Sequence, residues 1–89
     1  MSLRAASNQL NVTRVGIICG KRVGGAVTRN RARRKLREAV RSLLLRLPDG
    51  WDILLVIRPL GADATVAEFL YALEELLRRR GILAEAREE

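Results

Sequence analysis

Thr28-Arg29-Asn30-Arg31-Ala32-Arg33-Arg34-Lys35-Leu36-Arg37-Glu38-Ala39-Val40-Arg41-Ser42-Leu43-Leu44-Leu45-Arg46-Leu47, followed directly by Pro48-Asp49-Gly50, is the stretch on which the fold turns. Ala32, Leu36, Ala39, Val40, Leu43, Leu44 and Leu47 recur at offsets of 0, 4, 7, 8, 11, 12 and 15, a single apolar stripe at helical period. Thr28 stands where an N-cap hydroxyl can accept a first-turn amide, and the Pro-Asp-Gly triplet ends the helix. At ~1.5 Å per residue the helix is roughly 30 Å long. An amphipathic helix of this kind must bury its stripe against a second layer.

The flanking segments supply that layer. Upstream, Asn11 to Cys19 is a short β-branched run closed by Gly20, with Val15, Ile17 and Cys19 on one face and Val12 and Ile18 near or on the other. Gly20 to Gly25 holds three glycines and two cations and reads as an exposed connection. Downstream, Trp51 to Ile57 has the length and composition of a buried strand and stops at Arg58-Pro59. A second helix fits Ala64 to Arg80, with Val66, Phe69, Leu70, Leu73, Leu76 and Leu77 on one face. Gly81 is its stop, and Arg78, Arg79 and Arg80 favour the dipole of its last turn. The order is strand, helix, strand, helix, in one domain spanning residues 1–89 with a polar tail over 84–89 that carries Glu85, Glu88 and Glu89.

A chain of 89 residues buries only about 60–65% of the surface its unfolded form exposes, so the core is thin. Aliphatic side chains must fill it, because the aromatics are Trp51, Phe69 and Tyr71 alone. The lone cysteine, Cys19, cannot form an internal disulfide and reads as a buried strand residue in a reducing, cytoplasmic setting. No run approaches 18 apolar residues, so no membrane span is expected.

Charge narrows the function. The net charge is +7, and its distribution is uneven. From Lys21 to Arg46 ten basic residues meet one acid, Glu38, whereas from Leu47 onward five arginines meet nine carboxylates. A field confined in this way marks a binding face for a polyanion. On the first helix Arg29, Arg33 and Arg37 form one row, Asn30, Arg34, Arg37 and Arg41 an adjacent one, with Arg31 and Lys35 flanking them. Such like charges repel by a few tenths of a kcal/mol per close pair, roughly, and phosphate neutralisation turns that repulsion into a gain. Arginine predominates, and its planar fork grips two phosphate oxygens at once. A solvated basic face, a helix on an anionic membrane and duplex DNA binding are the readings that charge alone leaves open. The membrane reading fits poorly, since the apolar stripe is needed to cover the sheet.

A stand-alone enzyme is disfavoured. Histidine, the commonest general base and metal ligand, is absent. Asp49, Asp52 and Asp63 lie in or beside turns, where capping explains them. Gly20-Lys21 and Gly24-Gly25 complete neither a phosphate loop nor a dinucleotide fingerprint. Neither helix sustains the heptads of a coiled coil.

The wording of one segment goes further. Lys21-Arg22-Val23-Gly24-Gly25-Ala26-Val27-Thr28-Arg29-Asn30-Arg31-Ala32-Arg33-Arg34-Lys35-Leu36-Arg37-Glu38 resembles the signature of the bacterial ribonuclease P protein family: a lysine-rich glycine turn, Ala-Val, Arg-Asn-Arg, a basic pair, then Arg-Glu or Arg-Gln. The match is nearly continuous over Arg14 to Glu38 and looser through Arg58 and the last helix. The resemblance implies an α+β two-layer sandwich with a left-handed strand-helix-strand crossover, similar to the second domain of a small-subunit ribosomal protein. It implies a protein subunit that binds a catalytic RNA and assists removal of the 5′ leader from precursor tRNA. It further implies that the RNA and its bound Mg²⁺ carry the chemistry and that the protein alone is inactive. The implied RNA contacts are Lys21, Arg22, Arg29, Asn30, Arg31, Arg33, Arg34 and Arg37, joined by Lys35 and Arg41 on the same helix and by Arg58 after the later strand. Family members carry roughly 30 further N-terminal residues, a helix and a first strand whose aromatics line the leader cleft. By that comparison the chain reads as an N-terminally truncated form lacking the helix and most of the first strand, with a sheet edge exposed to dimerisation. A generic RNA-binding or ribosome-associated basic module is the alternative.

Overall fold

A computed structural model describes residues 1–83; the polar tail over 84–89 lies outside the described residues. Five elements follow in order: β1 (Ser2–Ser7), β2 (Arg14–Cys19), α1 (Ala26–Leu43), β3 (Trp51–Ile57) and α2 (Val66–Arg79), with 3₁₀ turns at Lys21–Val23 and Leu44–Arg46. The sheet order is β1-β3-β2, with β1 antiparallel and β2 parallel to the central β3. The α+β architecture expected from the sequence is present, as a mixed three-stranded sheet packed against two helices.

Alternation assigns the two faces of the sheet. Ile53, Leu55 and Ile57 of β3 are buried, as are Leu3 of β1 and Cys19 of β2, and they meet Leu36, Leu43, Phe69, Leu73 and Leu77 from the helices. Arg4, Arg14, Gly16, Ile18, Asp52, Leu54 and Val56 lie on the opposite, open face. The open face is tightly fitted at its centre, where a Cβ on Gly16 would stand 3.3 Å from a Leu54 methyl.

Several boundaries differ from the sequence expectation. Ser2–Ser7 is a strand, so the order is strand, strand, helix, strand, helix rather than strand, helix, strand, helix, and a strand does precede β2. Its alanines have weak strand preference, and pairing of Leu3 with Leu55 and Ala5 with Ile53 overrides it. β2 begins at Arg14, not Asn11, because Asn8 organises the preceding residues as a turn. The Asn8 side-chain oxygen accepts from the Leu10 amide at 2.7 Å, its amide donates to the Val12 carbonyl at 3.0 Å, and Gln9 takes the left-handed region at φ 59°.

α1 starts two residues before Thr28, with Gly25 at the N-cap and no side-chain cap. Thr28 instead lies inside the first turn, where its Cβ would come within 3.1 Å of any side chain placed on Gly24, a residue at φ 146°. At the far end α1 tightens into 3₁₀ geometry, which swings Leu44 and Leu45 outward, 50% and 102% exposed, so Leu44 leaves the expected stripe. α2 begins at Val66. Thr65 accepts the Glu68 amide at 3.1 Å while the Glu68 carboxylate accepts the Thr65 amide at 2.9 Å, a reciprocal capping box. It ends at Gly81, φ 72°, where the Gly81 amide donates to Arg78 and the Ile82 amide to Leu77.

Asp52 ties the sheet together at the strand starts. Its carboxylate accepts from Arg14 at 2.8 and 2.7 Å and from Asn8 at 2.9 Å, linking β2 and the β1–β2 turn to β3. Those donors hold its carboxyl down at about 2, against an ordinary 3.8. Because the folded-state value is depressed, its stabilisation is fully present above pH ~4 and is lost as pH falls through about 2. Thermal melts across that window should show the loss in the wild type, and the difference between wild type and Asp52→Asn should shrink toward zero at the acid end. In the core, Leu36→Ala removes a fully buried side chain and should lower unfolding free energy by about 2–5 kcal/mol in denaturant titration, whereas Leu45→Ala should change it by less than about 0.5 kcal/mol.

Candidate nucleic-acid interface

Parallel pairing sets the geometry of the cations. β2 and β3 end side by side, with Cys19 opposite Ile57, so the segments leaving both strands emerge at one end of the sheet. Gly20-Lys21-Arg22 leaves β2 there and Arg58-Pro59 leaves β3. Lys21, Arg22 and Arg58 thereby line one concavity of about 380 Å³, floored by Ile18, Val23 and Val56. Arg58, distant in sequence from the other basic residues, belongs with Lys21 and Arg22. α1 starts from the same end, because it must return the chain toward the beginning of β3.

Along α1 the buried stripe is Ala32, Leu36, Ala39, Val40 and Leu43, leaving the cations on the remaining circumference. Asn30, Arg31, Arg34, Arg37 and Arg41 are exposed. Among the described residues no carboxylate pairs with Lys21, Arg22, Arg31, Arg34, Arg37 or Arg58; Arg41 meets Glu38 at 3.8 Å on an exposed flank. The field is thus left largely uncompensated on this side of the molecule, while Arg46 and Arg78 are paired by Glu74 on the other helix.

Three of the expected contact residues sit deeper than the rest. Arg29 is half-buried, and its Nε lacks a partner. Arg33 donates from Nη1 to the Asn30 side-chain oxygen and from Nη2 to the Cys19 carbonyl, each at 3.2 Å. Lys35 donates from Nζ to the Ala64 carbonyl at 3.3 Å, and its charge helps hold the Glu68 carboxyl below the usual range, after the hydrogen bonds from Thr65. Helical rows on a wheel place these side chains at the rim of the buried stripe; only the tertiary partners show that they fold inward.

Arg4 and Arg14 fall outside the contact residues that the resemblance implies. Strand alternation was the available signal: with β1 and β2 both flanking β3, it sets Arg4 and Arg14 around Leu54 and Gly16 on the open sheet face. Arg14 is held by Asp52; Arg4 is exposed. Among the described residues no group of three or more His, Cys, Asp or Glu side chains converges to hold a metal ion.

Comparison with known proteins identifies the family. The family model for ribonuclease P matches residues 1–81. The chain belongs to the ribonuclease P protein family. The ribonuclease P protein component of a Roseiflexus species is 42% identical over 84 residues, covering 93% of this chain and 69% of that protein. The Dehalococcoides mccartyi protein component is 42% identical over 87 residues, 98% of this chain and 71% of that one. Among solved structures, the Staphylococcus aureus ribonuclease P protein superposes with a TM-score of 0.78 at 26% identity, covering 91% of this chain and 74% of that chain. The Thermotoga maritima protein gives 0.77 at 26%, covering 86% and 74%. As a ribonuclease P protein component the chain takes part in bacterial tRNA processing, with an RNA partner in the complex.

If the inward turn of Lys35 matters to the fold, Lys35→Ala should accelerate exchange of the Thr65 and Glu68 amides measured by NMR, with core β3 amides unchanged.

Proposed function

We propose that residues 1–89 form a single RNA-binding domain that binds the catalytic RNA of ribonuclease P through α1 and the concavity beside it, and so assists removal of the 5′ leader from precursor tRNA in the cytoplasm. The observation that carries this reading is that Lys21, Arg22 and Arg58 line one concavity at the end of the sheet where α1 starts, while Arg31, Arg34 and Arg37 of α1 are exposed with no carboxylate partner among the described residues. Lys21, Arg22, Arg29, Asn30, Arg31, Arg34, Arg37, Arg41 and Arg58 are the proposed contacts. Arg33 and Lys35 add charge to the field while their donors engage carbonyls of the fold.

The physical mechanism is positioning by phosphate neutralisation. Each cation set against a phosphate releases counterions, and each arginine fork can hold two oxygens of one phosphate. Hydrolysis belongs to the RNA and its Mg²⁺, so the protein supports RNA folding, substrate affinity and discrimination. The open sheet face is the surface left for the leader. It presents Arg4 and Arg14 beside Leu54, Val56 and Ile18, with no aromatic side chain among those positions. A strand lying there would be held by charge more than by base stacking, hence with little sequence preference.

Binding to ribonuclease P RNA, an unrelated structured RNA and duplex DNA across a salt series tests the reading. The cognate RNA should bind tightest, and Arg31→Ala should lower both its affinity and the slope of log K against log salt by ~0.7–0.9. Equal affinity for all three would reduce the site to a general basic patch, the property of a generic RNA-binding module. In reconstitution, the chain should stimulate leader removal only when catalytic RNA is added; cleavage by the protein alone would overturn the assignment.

A further inference from the structure

We infer that Arg33 is a positioning residue, which clamps the cationic turn after β2 to the first turns of α1 so that two separate groups of cations present one rigid surface. For its consequence in binding, this role rests on the RNA-binding reading above.

The turn needs such a clamp. Gly20 to Gly25 connects β2 to α1 through a single 3₁₀ turn, closed by the Val23 amide on Gly20 at 3.1 Å and the Gly24 amide on Lys21 at 3.2 Å. α1 begins without a side-chain cap, and no residue of the 3₁₀ turn is buried. Val23 of this turn packs half-buried against the core, and the glycines at both ends leave the exposed Lys21 and Arg22 with little further local restraint. Arg33 supplies a restraint from outside. It rises from the second turn of α1 and donates 3.2 Å to the Cys19 carbonyl, the last residue of β2 and the direct anchor of the turn. Its other terminal nitrogen donates 3.2 Å to Asn30, on the helix face that carries Arg34 and Arg37.

One planar fork therefore fixes three things at once: the end of β2, the Asn30 rotamer and the height of α1 over the sheet. A lysine ammonium has the charge but lacks the rigid fork that spans both acceptors. Both terminal nitrogens have acceptors within the protein, so Arg33 is set apart from Arg31 and Arg34, which have none among the described residues. Reduced mobility in the free protein lowers the ordering that RNA binding must impose on the turn.

Arg33→Gln and Arg33→Lys, with Arg31→Ala as the contact control, separate clamp from contact. In the free protein, both Arg33 variants should raise exchange of the Val23 and Gly24 amides by about fivefold or more, while core amides of Ile53 and Leu55 stay protected. With ribonuclease P RNA, both should bind about fivefold or more weaker at fixed salt; Arg33→Lys should keep the wild-type salt slope and Arg33→Gln should lose less of it than Arg31→Ala. Full retention of affinity by Arg33→Lys, with the slope in Arg33→Gln reduced as far as in Arg31→Ala, would make Arg33 a direct phosphate contact and overturn the inference. Unchanged amide exchange in both variants would overturn it equally. Were the wild type to show no preference for its cognate RNA, the RNA-binding reading would fall, and the exchange data would still decide whether Arg33 clamps the turn.

Discussion

Parallel pairing of β2 with β3 is the constraint from which the remaining structure follows. A parallel pair cannot be closed by a hairpin, so the chain must leave the sheet at Cys19, travel its full length and re-enter at Trp51. α1 is that return path, and 18 residues at ~1.5 Å each give a helix of about 27 Å, longer than a six- or seven-residue strand. The circumference of α1 turned away from the sheet is left unburied, and in this chain it carries arginine. The same pairing delivers the ends of both parallel strands to one place, which puts Arg58 beside Lys21 and Arg22 across a long gap in sequence.

A helix loaded with like charges is stable here because its other face is so thoroughly buried. Ala32, Leu36, Ala39 and Leu43 are 0–1% exposed. Burying one leucine contributes about 1.5–3 kcal/mol, against a few tenths for each close pair of exposed cations. Packing therefore wins over repulsion by a wide margin, and the exposed face is free to be chosen for a partner rather than for stability. α2 shows the contrast: its capping box and its Arg46–Glu74–Arg78 cluster balance charge locally, and the helix presents no comparable field.

What the sequence discloses follows the strength of each local signal. β3 was legible to the residue, because a β-branched run between Gly50 and Pro59 admits few alternatives. The buried stripes of both helices were legible from their period, and Thr65-x-x-Glu68 carried the capping-box signature that sets the start of α2 at Val66 rather than Ala64. β1 was not, since Leu-Arg-Ala-Ala holds no strand preference until β3 offers an edge. Thr28 misled because its identity suits a cap, whereas the permissive Gly24-Gly25 pair lets the helix begin earlier. The basic residues were visible as a set, but period alone could not divide those facing solvent from Arg33 and Lys35, whose acceptors come from β2 and from the approach to α2.

Those inward donors bear on the edges of the sheet as well. With the order β1-β3-β2, both outer strands leave backbone groups unpaired, the feature that led to an expectation of dimerisation from sequence. The fold answers at each side with an arginine from a helix: Arg80 donates at 3.3 Å to the Leu3 carbonyl on β1, and Arg33 at 3.2 Å to the Cys19 carbonyl on β2. A strand added at either edge would have to compete with a charge-assisted hydrogen bond and seat itself beside a guanidinium. β1 also carries the charged Arg4. Among the described residues the arginines thus take different partners. Arg33 and Arg80 fold back onto carbonyls of the outer strands, Arg14, Arg46 and Arg78 are held by carboxylates, and Arg22, Arg31, Arg34, Arg37 and Arg58 stay exposed.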